Sequence, residues 1–207
     1  IQRIEMSSLD LNQNKDMRDA FFDEIYLESI NNPNLIVITN DMDIFSLRKL
    51  KKERPNQFIN VGVAEQNMIN IAAGLALSGK TVFCYSIASF ATLRCYEQIK
   101  VNLCSLNLPV AIIGAGAGFS FGYDGPTHHG LQDLSSMRLL PEMAILELSS
   151  NDLAQKSVDF SIDNNLTLGN ILAILCSVCF AFVFIISDQV NKTENSFSFS
   201  KNVFIYA

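Results

Sequence analysis

Residues 58–68 read FINVGVAEQNM, and their pattern changes partway along. Phe58 to Val63 is apolar and rich in β-branched residues, as a buried strand is. Ala64 to Leu77 is rich in Ala, Leu, Met and Ile and stops at Ser78-Gly79, as a helix with a glycine terminus does. One acid, Glu65, stands at the join. Open α/β sheets carry their chemistry at the carboxyl ends of their strands, so this junction predicts both a fold and a site.

The same alternation extends in both directions. Met17, Phe21 and Ile25 recur at helical spacing with Asp23, Glu24 and Glu28 on the polar side, which predicts an amphipathic helix over 16–30. Leu35 to Thr39 predicts a short buried strand ending at Asn40-Asp41. Further strands are expected over 81–85, 110–114 and 143–148, with helices over 91–106, 131–140 and from Asn151. Strands alternating with helices across short turns predict an α/β fold: a mostly parallel sheet with helices on both faces. Asp41, Glu65, Tyr85 and the glycine-rich loop GAGAGFSFGYDGPTHHG, residues 114–130, then share the carboxyl end of that sheet.

Composition narrows the function classes. A formal net charge of −6 argues against a nucleic-acid surface, and the one basic run, RKLKKER at 48–54, reads as a solvated helix face. Five cysteines, an odd and scattered set, fit a reducing cytosol better than a disulfide framework. Cys176 and Cys179 form a CxxC inside an apolar run with no second ligand pair, which reads as packing and not as a zinc or redox site. No metal-ligand set is expected in this chain. It starts at Ile1, and residues 1–15 lack the apolar core of a signal peptide, so a cytoplasmic catalytic domain is expected.

After about Val158 the character shifts. Leu166 to Ile186 holds no charge and would be about 31 Å long as a helix at ~1.5 Å per residue, enough for a ~30 Å hydrocarbon core. The expected organisation is an extension over 1–14, a domain over 15–158, and an unrelated tail over 159–207 with a transmembrane helix at 166–186 that tethers the domain.

Six stretches occur in an order that matters: MRDAFFDE (17–24), TNDMD (39–43), NVGVAEQNM (60–68), RCYEQIK (94–100), GYDGPTHHGLQDLSSMR (122–138) and LPEM (140–143). Over 15–158 the chain thereby resembles the pyrimidine-binding domain of the transketolase family, most closely the separate carboxyl-terminal subunit of split transketolases. DGPTHHG and DLSSMR are also similar to 1-deoxyxylulose-5-phosphate synthase. The resemblance implies thiamine-diphosphate-dependent ketol transfer, in which a carboxyl hydrogen-bonded to N1′ of the cofactor promotes the tautomer that can take the C2 proton. By resemblance that carboxyl is Glu65, in an apolar pocket where it can share a proton. Phe90 matches the aromatic residue that stacks on the pyrimidine, Ile87 replaces a neighbouring family aromatic, and Asp41 falls where the family has an acid near the cofactor. Asp124 and His128 match the acid and imidazole that hold the sugar's oxygens, and an imidazole there could also assist proton transfer. A family histidine earlier in this loop is replaced by Gly116, which points to a sugar other than the usual phosphosugars.

No GDG motif occurs in the chain. The resemblance therefore implies a GDG-containing partner subunit that supplies the diphosphate and Mg²⁺ ligands, with homo-dimerisation inside an α2β2 assembly. The tail GNILAILCSVCFAFVFIIS, 169–187, weakly resembles an EamA-type transporter helix. A competing reading is a catalytically silent, membrane-anchored or chimeric scaffold. Two other motifs compete in the loop: a dinucleotide GxGxxG fails because residue 119 is Phe, and GFSFG at 118–122 matches GxSxG but leads into Tyr-Asp-Gly-Pro instead of a helix.

Overall fold

The computed structural model describes residues 15–163 and 171–175. Among the described residues six strands form one sheet: β1 (Leu35–Thr39), β2 (Phe58–Asn60), β3 (Thr81–Ile87), β4 (Val110–Ala115), β5 (Ala144–Leu148) and β6 (Ile171–Leu175). Their order is β2-β1-β3-β4-β6-β5, and every pairing is parallel. The helices are α1 (Met17–Asn31), α2 (Phe45–Glu53), α3 (Glu65–Leu77), α4 (Tyr96–Gln98), α5 (Asp133–Met137) and α6 (Asn151–Asp163).

Strand residues alternate between two cores, as a sheet covered on both faces requires. Ile36, Ile38, Val82, Cys84, Val110 and Ile112 pack on one face against Met68, Ile69 and Ala72 of α3 and against Ile99 and Leu103. Leu35, Val37, Phe83, Tyr85, Ala111 and Ile113 face the other way, onto Phe21, Phe22 and Ile25 of α1, Leu47 and Leu50 of α2, and Ala154 and Val158 of α6. Burying an apolar side chain of this size stabilises by about 1.5–3 kcal/mol, so these two layers are what fix the strand register. The basic run 48–54 lies on and just after α2, with Leu50 buried and its charged residues outward.

Two expectations need correcting. The expected helix over 91–106 is a broken one: wide π turns over Phe90–Arg94 and Ile99–Cys104 flank the single α turn of α4. Such π turns are rare and gather at functional sites. In the expected transmembrane helix at 166–186, Ile171–Leu175 is instead a strand, seated between β4 and β5 with Leu172 opposite both Ile112 and Ile145. An unbroken apolar run carries no periodicity that separates helix from buried strand, and an interior parallel strand is apolar on both faces. The helix expected from Asn151 is α6, Asn151–Asp163. No described helix is long and apolar enough to cross a membrane. The remainder of the expected span, the transporter-like stretch outside β6, and Cys176 and Cys179 lie outside the described residues. Cys84, Cys95 and Cys104 are buried, and Cys84 and Cys95 are free thiols.

Candidate active site

Glu65 is the first residue of α3 and only 2 % exposed. Its approach is fixed by the loops that leave β1 and β2. Asn40 donates from Nδ2 to the Gly62 carbonyl at 3.1 Å, and Asn60 receives the Asp41 backbone N–H while donating from Nδ2 to the Asp41 carboxylate at 2.8 Å. Gly62, at φ +70°, turns the chain out of the sheet, and for that reason β2 stops at Asn60 and not at Val63. The Glu65 carboxylate therefore sits at the positive end of a helix dipole, at the carboxyl end of the sheet.

Its partner is Arg94. Nη1 of Arg94 lies 2.8 Å from Oε2 of Glu65, and the same guanidinium rests over the ring of Phe90, 4.0 Å from its centroid. The Phe90 ring in turn meets His128 edge to face at 4.9 Å. Gly114 eases this approach: a Cβ there would stand 3.0 Å from the Ala88 Cα, so glycine lets the chain leaving β3 cross close to β4 without a shift. Ser89 then donates to the Thr127 carbonyl at 2.9 Å and ties that chain to the glycine-rich loop.

The loop closes on itself through a reciprocal pair, Gly118 N–H to the Gly130 carbonyl at 3.0 Å and Gly130 N–H to the Gly118 carbonyl at 2.8 Å. Thr127 Oγ1 and His128 Nδ1 share a hydrogen bond of 3.0 Å, which orients the imidazole. His129 turns away, toward Phe119 and the Gly122 carbonyl. Gly116, at φ +84°, leaves no room for a side chain, because a Cβ would fall 2.1 Å from the ring of Phe121. Phe121 stands where a longer residue at 116 would project, with its ring 6.5 Å from that of His128.

Among the residues expected at the site, the structure thus brings Glu65, Phe90 and His128 together. Asp124 lies in the same loop, exposed, in the turn Gly122–Asp124. Ile87 ends β3, half-buried and paired in register with Ala115. Asp41 is exposed at φ 55° and lines a cleft of about 610 Å³ with Met42, Phe58, Asn60, Arg48 and Lys51, whose walls do not include Glu65, Phe90 or His128.

Sequence reasoning does not single out Arg94, although its place four residues after Phe90 sets both on one side of a helical turn. It also misses Asp133, the first residue of α5. This aspartate is 3 % exposed; Oδ1 accepts the Leu134 N–H at 2.8 Å, while Oδ2 has no hydrogen-bond partner among the described residues. Burial pushes its carboxyl above the usual aspartate range. Beside Glu65, burial and then the neighbouring carboxylate push the Cys95 thiol up to about 12, so it is no nucleophile at neutral pH.

Residues 13–192 match the family model described as transketolase, pyrimidine binding domain. The chain is 35% identical over 147 residues to an apulose-4-phosphate transketolase subunit of Phocaeicola vulgatus, a match that covers 70% of this chain and 47% of that protein. It is 40% identical over 114 residues to a putative transketolase C-terminal section of Methanocaldococcus jannaschii, covering 55% of this chain and 36% of the other. Among solved structures it is similar to a split-gene transketolase described as an inactive beta4 tetramer, at a TM-score of 0.67 and 29% identity, over 77% of this chain and 50% of that one. The chain thus spans about half or less of the length of these relatives.

Proposed function

The chain belongs to the transketolase pyrimidine-binding domain family, and from that premise we propose that it supplies the pyrimidine-binding half of a thiamine-diphosphate-dependent ketol-transfer site shared with a partner subunit. The observation that carries the reading is the contact chain Glu65, Arg94, Phe90, His128. A buried carboxyl and a flat aromatic face, both now against the Arg94 guanidinium, are the two things an aminopyrimidine would need, a hydrogen-bond partner for a ring nitrogen and a surface to stack on. The residues present therefore fit the ring of the cofactor.

When bound, the cofactor would supply the carbanion chemistry that adds to a ketose carbonyl. This chain's share is more limited. Glu65 would hold or yield a proton at a ring nitrogen, Phe90 would give the ring a flat apolar support, and Ile87 would add aliphatic contact. His128, held by Thr127, and Asp124 line the loop that would meet the sugar, as donor and acceptor for its oxygens. Diphosphate and Mg²⁺ would be held by a partner with a GDG motif, because the oxygen ligands Mg²⁺ requires are expected there. The name of the beta4 relative, inactive as a tetramer of one subunit type, supports that division of labour. Ring packing of Phe121 on Gly116 supports a sugar other than the usual phosphosugars. The domain is proposed to extend at least to Leu175, because β6 completes the sheet.

Glu65→Gln keeps size and hydrogen bonding but removes the shareable proton. In the complex reconstituted with the partner subunit, it should abolish ketol transfer while leaving circular dichroism unchanged. A variant that keeps more than about a tenth of wild-type kcat, a barrier change under ~1.4 kcal/mol, would remove Glu65 from the mechanism.

A further inference from the structure

Gly62 is held from both sides. Asn60 Oδ1 accepts its N–H at 3.0 Å, and Asn40 Nδ2 donates to its carbonyl at 3.1 Å. That carbonyl also receives the Ala64 N–H at 2.8 Å, which ties it to the cap residue of α3, one position before Glu65. A Cβ at Gly62 would meet nothing within 4 Å, so the left-handed turn at φ +70°, and not crowding, is what the two asparagines hold.

The orientation of Asn60 is set in turn by Asp41. Asn60 Oδ1 faces two backbone N–H groups, those of Asp41 at 3.1 Å and Gly62 at 3.0 Å, while Nδ2 faces the Asp41 carboxylate at 2.8 Å. Only one of the two amide flips makes all three bonds. Asp41 itself has φ 55°, a conformation that aspartate and asparagine adopt more readily than most side chains. The cleft that Asp41 lines excludes Glu65, Phe90 and His128. Asn40 is 6% exposed, and with Nδ2 on the Gly62 carbonyl its Oδ1 is buried with no hydrogen-bond partner among the described residues. A buried acceptor without a partner opposes folding, and this one comes with the grip on Gly62.

We infer that Asp41, Asn60 and Asn40 are positioning residues for Glu65, with Asp41 acting through Asn60 and not on a bound ring. The inference rests on the ketol-transfer reading for what Glu65 does, and on this network alone for where Glu65 stands. Contact runs from the Asp41 carboxylate to the Asn60 amide, from Asn60 to the Gly62 N–H, and from the Gly62 carbonyl to the Ala64 N–H, where α3 begins with Glu65. Each bond is directional, so losing the one at Asp41 frees the Asn60 amide to turn, loosens the grip on Gly62 and shifts the start of α3. What Asn60 needs from residue 41 is an acceptor, and an amide oxygen is one as a carboxylate is.

The test follows the side-chain carboxyl carbon of Glu65 by NMR in the full chain alone, and kcat and KM for ketol transfer in the complex reconstituted with the partner subunit. Asp41→Asn keeps an acceptor for Asn60 Nδ2 and should leave the Glu65 signal at its wild-type position. Asp41→Gly tolerates the same backbone angle but offers no acceptor, and should shift it. Both variants lose the same charge, so charge alone does not separate them. Asn60→Asp sets two carboxylates against each other; it should shift the signal and lower kcat at least about tenfold, with KM changed less. Adding Asp41→Asn to Asn60→Asp puts donor and acceptor back in exchanged places, and should return the signal and bring kcat to within about threefold of wild type. If Asn60→Asp does not fold, the comparison of Asp41→Asn with Asp41→Gly decides. The inference fails if Asp41→Asn shifts the signal as Asp41→Gly does, because the carboxylate then acts in its own right. It fails equally if the signal stays in place in Asp41→Gly and Asn60→Asp, or if the double variant does not recover. A Glu65→Gln variant that keeps its kcat would overturn the ketol-transfer reading, and the Glu65 signal in the chain alone would still decide the positioning.

Discussion

Asp133 shows what burial does to one carboxyl in this molecule. Its folded-state value is raised, chiefly by desolvation, above the ordinary 3.8. An acid raised on folding favours the folded chain below its unfolded value, and that contribution disappears as pH climbs through the folded value. The unfolding free energy of wild type relative to Asp133→Asn should therefore fall as pH rises from about 3.8 toward neutrality, by about 1.4 kcal/mol for each unit by which the folded value is raised. Urea denaturation of both proteins across that range measures it, and a pH-independent difference would show that Asp133 ionises freely in the fold. Nothing in DLSSMR gives that carboxyl away, because burial of a helix-start aspartate depends on what the loop 114–130 lays over it. Glu65 is legible for the opposite reason: a lone acid between a strand and a helix has one place to go. Arg94 is hidden because one of its partners lies 29 residues earlier in the chain and the other within the preceding turn.

At the scale of elements, alternation of apolar strands with amphipathic helices carries most of the fold. The limits of β1 agree with the pattern residue for residue, and α3 begins one residue after the expected start. The failures have a common cause. The wide turns on either side of α4 have no sequence periodicity that separates them from an α-helix, and the apolar run of β6 has none that separates strand from helix, so the packing of neighbours decides both. The glycine-rich loop is decided locally by contrast. At Gly116 a Cβ would both require a left-handed backbone of φ +84° and strike Phe121. Gly116→Ala should cost about 1–3 kcal/mol in urea denaturation from backbone strain alone. It should also displace Phe121 from beside His128, seen as a shift of the His128 ring signals by NMR. A variant as stable as wild type with unshifted His128 signals would show that the loop does not depend on that turn.

At the scale of the whole chain, the proposed function makes it half of a site. Its sheet positions a carboxylate, an aromatic face and an imidazole at one end, yet the chain carries no GDG motif and spans about half the length of its relatives. Its function class is legible because six stretches fall in the order of one family, whereas the fate of residues 166–186 is not, since an apolar strand and an apolar span look alike in sequence. The central claim is that this chain binds one half of the cofactor and a GDG-containing subunit binds the other. Titration calorimetry of thiamine diphosphate with Mg²⁺, into the chain alone and into the chain mixed with that subunit, tests it most directly. The chain alone should give no measurable saturation, and the mixture should bind in a Mg²⁺-dependent manner. Micromolar, Mg²⁺-dependent binding by the chain alone would contradict the account.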